Sequence, residues 1–200
     1  MKRIFIVILL LLVSGCSVVR IDTSSINNTI NVVLSKNNQL FNRIGKGYKY
    51  YVPRDVNYID NNELNDKLYS NGNYYYLYID VISYYYKKSV DYVENDNSYY
   101  SKKIDYNDKE GYVEINQMDS GQFLVEFMYN YAKIEALVNE EDINDVILNA
   151  SYILSTIKFN DNIIRLMLDN DYLVNQEEKY DIFTSVATTN KFLEYPSEEE

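Results

Sequence analysis

The 200-residue chain has no histidine, no tryptophan and a single cysteine, and these absences exclude whole classes of chemistry. Without histidine there is no histidine-dependent nucleophilic triad and no His-based metal site. One cysteine allows no disulfide within the chain and no paired-thiolate metal site. Basic residues are also scarce, 19 Lys and Arg against 30 Asp and Glu. Nucleic-acid binding is therefore not expected, because neutralising phosphates requires a basic surface. Lys87-Lys88 and Lys102-Lys103 are the only basic pairs after the amino terminus; each is flanked by acids and reads as ordinary strand-end charge.

Long apolar runs are missing too. The one apolar stretch, Ile4 to Val13, covers ten residues, whereas a bilayer-spanning helix needs roughly 20. Lys2 and Arg3 precede it, and the small residues Ser14 and Gly15 lie between it and Cys16. A basic start, a short apolar run and small residues before a cleavage point make an export signal. Val13-Ser14-Gly15-Cys16 resembles the bacterial lipobox. The resemblance implies thioether attachment of diacylglycerol to Cys16, cleavage before it and, often, acylation of the new amino terminus. Residues 1–15 are then a lipoprotein signal peptide and 16–24 a lipidated tether. With the only cysteine acylated, thiol catalysis is excluded as well.

Two or three acyl chains hold a protein stably on a bilayer. About eight residues of tether reach at most about 28 Å at roughly 3.5 Å per residue, so the exported body must sit close to the membrane. Its expected place is the extracytoplasmic face of the cell membrane. Removing Lys2 and Arg3 leaves 17 basic residues against 30 acidic, a net charge of −13, and anionic lipid heads would repel such a body overall. The terminal Glu198-Glu199-Glu200 reads as a solvated acidic tail.

What the chain has in abundance is tyrosine: 23 in all, of which 17 fall between Tyr48 and Tyr112. Periodicity organises the rest. Ile26, Ile30, Val33 and Leu34 repeat at helical spacing behind Ser24 or Ser25 as N-cap, with Asn37-Asn38 closing the segment. A strand is expected over Tyr48–Val52, stopped by Pro53. Asn71-Gly72 is the clearest turn signal, linking a strand over Asp66–Tyr69 to a long strand over Asn73–Tyr86. A polar loop, Asp91–Asn97, leads to strand Tyr99–Tyr106. A turn over Asn107–Gly111 then precedes strand Tyr112–Gln117, and Asp119-Ser120-Gly121 turns into strands Gln122–Tyr129 and Tyr131–Val138. Asn139 offers an N-cap, with Asp142 in the first turn, to a helix carrying Ile143, Val146, Ile147, Ala150, Leu154 and Ile157. Asn160-Asp161-Asn162 caps a further short helix with Ile163, Ile164, Met167 and Leu168.

Strands in the middle with helices at both ends predict one α+β domain over 25–170, an antiparallel β-sheet meander flanked by an N-terminal and a C-terminal helix. Residues 171–200 form a C-terminal extension. The phrase Gly47-Tyr48-Lys49-Tyr50-Tyr51-Val52-Pro53, several hairpins, and the late phrase Ile153-Leu154-Ser155-Thr156-Ile157-Lys158-Phe159 resemble PsbP-like domains. There a "glycine, aromatic, hydrophobic, proline" strand comes early and a helix ending in "leucine-serine-serine-isoleucine-basic-phenylalanine" comes late. Here threonine replaces the second serine. The resemblance spans roughly residues 45 to 160 and implies an architecture and a role in binding or stabilising partners. It implies no site.

In the expected long strand, odd positions Tyr75, Leu77, Ile79, Val81 and Tyr85 suit a core face. Even positions Tyr74, Tyr76, Tyr78, Asp80, Ile82, Tyr84 and Tyr86 put a tyrosine row on the other. If open, that row is an amphipathic platform for proteins or sugars; if a helix covers it, the rings are core with their hydroxyls hydrogen-bonded. The apolar faces of the helices must land somewhere, which favours the covered arrangement.

Catalytic and metal motifs are sparse. Ser155-Thr156-Ile157-Lys158 fits the S-x-x-K of penicillin-binding enzymes and Tyr69-Ser70-Asn71 resembles their second motif, but that nucleophile opens a helix, Ser155 closes one, and no K-T-G follows. Asp105 to Gly111 has a lysine where an EF-hand loop needs a ligand and its glycine one place late. No cofactor and no metal are expected. Three roles remain: a membrane-proximal binding or accessory protein with an envelope protein partner, a small-ligand or glycan receptor using the tyrosine face, and an envelope hydrolase working through two converging carboxylates.

Overall fold

The computed structural model describes residues 25–62 and 64–169. The expected signal peptide, Cys16, the expected tether and the expected C-terminal extension lie outside the described residues.

Helix α1, Ile26–Leu34, starts where expected: Ser25 Oγ accepts from the Asn28 amide at 3.4 Å, and Thr29, Ile30, Val33 and Leu34 are buried. Strands β1 (Arg43–Ile44) and β2 (Tyr48–Tyr50) follow. Then come β3 (Asn57–Asn62), β4 (Asn65–Ser70) and β5 (Asn73–Ile79). Helix α2, Val81–Tyr86, leads through a long loop to β6 (Tyr100–Tyr106), β7 (Lys109–Gln117), β8 (Phe123–Tyr129) and β9 (Ala132–Val138). A 3₁₀ turn at Glu140–Asp142 precedes α3 (Ile143–Ser155), β10 (Lys158–Phe159) and α4 (Asp161–Asp169).

The main sheet has seven strands in the order β3-β4-β5-β9-β8-β7-β6, every pair antiparallel. Two hairpin runs, β3 to β5 and β6 to β9, are thus joined side by side through β5 and β9. The fold is α+β, as the strand and helix pattern implies. On one face Leu77, Ile134, Phe127, Val125, Val113 and Ile115 form the core with Ile143, Val146, Ile147, Ala150, Ile153 and Leu154 of α3. A buried aliphatic side chain contributes about 1.5–3 kcal/mol, so this layer dominates the packing.

Three tight turns hold the register, each with two consecutive residues at positive φ: Asn71-Gly72, Asn107-Asp108 and Asn130-Tyr131. That is the type I′ geometry whose twist matches the flanking strands. It corrects two expected boundaries. Tyr131 belongs to a turn rather than to β9. Gly111 belongs to β7 rather than to a turn: a Cβ there would lie 2.1 Å from the Met128 carbonyl oxygen, so only glycine lets β7 and β8 approach this closely.

The expected strand over Asn73–Tyr86 is also corrected. β5 ends at Ile79, and Asp80 caps α2 with its Oδ1 accepting from the Ser83 amide at 2.8 Å. A side chain that can satisfy an orphan helix amide competes with the ladder, and here the helix wins. Strand β3 was not anticipated, because Asn57-Tyr58-Ile59-Asp60-Asn61-Asn62 lacks apolar alternation. It is an edge strand with a register shift between Tyr58 and Asp60. Buried Asp66 steadies it, accepting from Tyr50 Oη at 2.5 Å, Tyr58 Oη at 3.1 Å and Asn61 Nδ2 at 2.5 Å. Burial and then the Asp66 charge push the Tyr58 hydroxyl up to about 12.

A second sheet, β1-β2-β10, brings together the early phrase Gly47 to Pro53 and the late phrase Ile153 to Phe159. Lys158 pairs with Lys49 and Phe159 with Tyr48. Thr156 Oγ1 accepts from the Tyr51 amide at 3.0 Å and donates to the Ile153 carbonyl at 2.8 Å. The Asn160 amide donates to the Gly47 carbonyl at 2.8 Å.

Candidate interaction face of the sheet

The register carries the second face across the whole sheet. Ser101, Glu114, Glu126, Glu135, Tyr76, Lys67 and Asp60 are successive cross-strand partners. Because partners share a face, this row lies opposite the α3 core. Asn149 of α3 donates to Tyr75 Oη at 3.2 Å, which fixes α3 on the odd-numbered side of β5. The helix that was expected to cover the tyrosine row therefore packs on the other side.

What lies over part of this face is the loop after α2. Tyr92 stacks flat on Tyr112, with ring centroids 4.2 Å apart and planes 6° from parallel, and Val90 and Met128 complete a small apolar cluster. Beneath it Glu114, only 2% exposed, accepts from Tyr92 Oη at 2.7 Å, Asn95 Nδ2 at 3.1 Å and Asn116 Nδ2 at 3.0 Å. Burial, and then the Glu114 carboxylate, push the Tyr92 hydroxyl above its ordinary value. Three glutamates thus stand side by side, but Glu114 is sealed under the loop, and Glu135 forms an ion pair with Lys133 at 2.8 Å.

At the opposite end of the face, exposure rises toward the Asn71-Gly72 turn. Tyr74 is 44% exposed, Tyr76 half-buried and Tyr78 buried. Tyr69 meets Tyr74 at 5.1 Å between centroids, and Tyr74 meets Tyr76 at 6.4 Å. The Lys67 ammonium lies 4.3 Å from the Tyr74 centroid and 5.4 Å from that of Tyr76, within cation–π range. The result is a flat aromatic surface with one ammonium across it, mounted on rigid sheet.

Of the candidate binding residues that alternation singles out, Tyr74, Tyr76, Tyr78, Asp80, Tyr84 and Tyr86, only Tyr74 and Tyr76 reach this surface. Asp80 is 2% exposed and serves as a helix cap, and burial raises its pKa. Tyr84 stacks on Phe159 at 3.9 Å, carries the Lys87 ammonium at 3.6 Å and donates to Asp161 Oδ1 at 2.7 Å. Burial and then Asp161 push its hydroxyl up to about 12. Tyr86 is 61% exposed beyond the sheet. The residues missed were Lys67 and Tyr69, although the Asn71-Gly72 turn alone pairs 70 with 73 and hence 67 with 76. A cavity of about 370 Å³ at the other end of the loop is lined by charges of both signs, Lys87 and Lys88 with Asp105, Asp108 and Glu110, beside Tyr131.

No protein-family model, curated protein or solved structure matches the chain.

Proposed function

We propose that this protein is a membrane-anchored, extracytoplasmic lipoprotein that binds a protein of the cell envelope through the open end of its tyrosine face. The anchor half of the reading rests on the lipobox-like run ending in Cys16. No helix among the described residues is long and apolar enough to cross a membrane. The binding half rests on one observation: Tyr74, exposed on the face opposite α3, stands beside half-buried Tyr76 with Lys67 across both rings. Tyrosine brings large contact area at low entropic cost. An ammonium already seated on both rings obstructs the stacking that a sugar would use and favours a partner offering a carboxylate. The PsbP-like architecture is part of the same proposal, supported by the pairing of β2 with β10, which brings the two marker phrases into contact.

Photo-crosslinking in intact cells tests it. A benzophenone amino acid at Tyr74 should give one dominant protein adduct, which Lys67→Glu abolishes; the same probe at Tyr86 should not give that adduct. No adduct at Tyr74, or the same adduct from both sites, would overturn the reading. The glycan alternative predicts retention on envelope polysaccharide that Tyr74→Ser removes and Lys67→Gln improves.

A further inference from the structure

Residues 23–54 contain five basic residues, Lys36, Arg43, Lys46, Lys49 and Arg54, and none of the chain's 30 acids. In a body so acidic overall, this is strong segregation of charge. The same stretch exposes three large apolar side chains: Leu40 is 57% exposed, Phe41 47% and Ile44 77%. The small sheet places Ile44 with the lysines, and Phe41 lies under one of them. Ile44 pairs with Lys49 and Lys49 with Lys158, so all three share the outer face, while Tyr48 and Tyr50 on the inner face are buried in the core. The Lys49 ammonium sits 4.0 Å from the Phe41 centroid, and Lys158 Nζ donates to Gln39 Oε1. Lys109 has its pKa lowered, by burial first and then by repulsion from Lys158, consistent with local positive potential.

We propose that this outer face of the small sheet, Leu40, Phe41 and Ile44 ringed by Lys46, Lys49 and Lys158, is the surface that rests on the anionic phospholipid bilayer. Exposed aliphatic and aromatic tips that enter the interface, with lysines reaching the phosphates, form the usual pattern of peripheral membrane contact. The proposal rests on the anchor reading above for its geometry. A tether reaching about 28 Å holds an acidic body within a few Debye lengths, each about 8 Å at physiological salt. Anionic lipid repels the acidic faces and attracts the one built from residues 23–54, which carry no acid. Net charge therefore orients the domain without excluding contact. Helix α1, between tether and patch, is only about 13.5 Å long at about 1.5 Å per residue, so the tether can reach back past it. In this orientation the Tyr74 face belongs to a different sheet and is not the part pressed to the membrane.

The test separates patch from anchor. The chain from residue 16 onward, carrying Cys16→Ser and therefore no lipid, is sedimented with vesicles of phosphatidylglycerol and phosphatidylcholine or of phosphatidylcholine alone. It should bind the anionic vesicles about tenfold better, less so at 0.5 M salt. Lys46→Gln and Lys49→Gln should each weaken binding about fivefold, the effect of one lysine near an anionic surface. Leu40→Ser/Phe41→Ser/Ile44→Ser should abolish it while the circular dichroism spectrum stays native. Because the chain has no tryptophan, Phe41→Trp provides a unique reporter in the lipidated protein: bromolipids should quench it, and should not quench Tyr74→Trp. Binding indifferent to lipid charge, or a membrane-bound lipidated Phe41→Trp protein whose fluorescence stays unquenched, overturns the patch and leaves the anchor standing. Salt-sensitive vesicle binding by the unlipidated chain, alongside an unacylated Cys16 in cells, supports the patch and removes the anchor. Self-association abolished by the same serine substitutions, without vesicle binding, would make the patch a contact between copies and overturn the proposal.

Discussion

Thr156→Val is the sharpest probe of how the two sheets are joined. Thr156 is fully buried at the end of α3, with its hydroxyl set between the Tyr51 amide and the Tyr152 and Ile153 carbonyls. It accepts from the Tyr51 amide at 3.0 Å and donates to the Ile153 carbonyl at 2.8 Å. Valine keeps the volume and the β-branch, so the change falls chiefly on the hydroxyl. What is lost is the acceptor for a half-buried amide, and leaving such a group unsatisfied costs about 1–3 kcal/mol. We expect a loss near the middle of that range, about 2 kcal/mol. Thr156→Ser keeps both hydrogen bonds and loses one methyl group, about 0.8 kcal/mol. At about 3 °C per kcal/mol for a domain of this size, the valine variant should melt about 6 °C lower and the serine variant about 2–3 °C lower. Urea titrations with unchanged slope would confirm that only stability moved. A valine variant as stable as the parent, or a serine variant less stable than the valine one, would refute the idea that this hydroxyl joins α3 to β2.

Other substitutions probe different layers. Gly111→Ala drives a methyl group into the Met128 backbone carbonyl and should cost about 3 kcal/mol or more, above ordinary overpacking; near-native stability in denaturant would show that β7 and β8 can part. Asp80, raised by burial above its ordinary 3.8, binds its proton more tightly folded than unfolded. The stability it contributes is fully present below the ordinary value and is lost as pH rises through the raised one. Asp80→Asn, which keeps a comparable cap, should therefore gain on the parent as pH rises above that ordinary value, and a pH-independent difference in unfolding free energy would contradict this. Tyr92→Phe removes one of three donors to buried Glu114 and should cost about 1.5–3 kcal/mol. Its expected signature is faster hydrogen exchange around Tyr92 and Asn95, whereas unchanged exchange there would show that the loop does not depend on this bond.

Much of the architecture was legible because its signals are local. Ser25 before Ile26, Ile30, Val33 and Leu34 specifies α1 through cap and period, and the Asn71-Gly72 turn specifies the β4–β5 register. What was hidden depends on competition or on contacts distant in sequence. The run Val81 to Tyr86 mimics a strand because valine, isoleucine and tyrosine favour sheet; only the Asp80 cap, a single bond to the Ser83 amide, reveals the helix. β3 has no apolar alternation and exists because Asp66 collects Tyr50, Tyr58 and Asn61. For the candidate site, alternation identified Tyr74 and Tyr76 but could not say which face α3 would choose. The Leu77 and Ile134 face won because it is continuously apolar across β5, β9, β8 and β7. The covering of Glu114 by Tyr92, 22 residues away, left no trace in local pattern.

The measurement that bears most directly on the whole account is the mass of the amino-terminal peptide from protein extracted from cell membranes. The account predicts a peptide beginning at Cys16 with diacylglycerol on its sulfur, and Cys16→Ser protein that no longer partitions with membranes in detergent phase separation. A peptide beginning at Met1, or a serine variant that stays in the detergent phase, would contradict it.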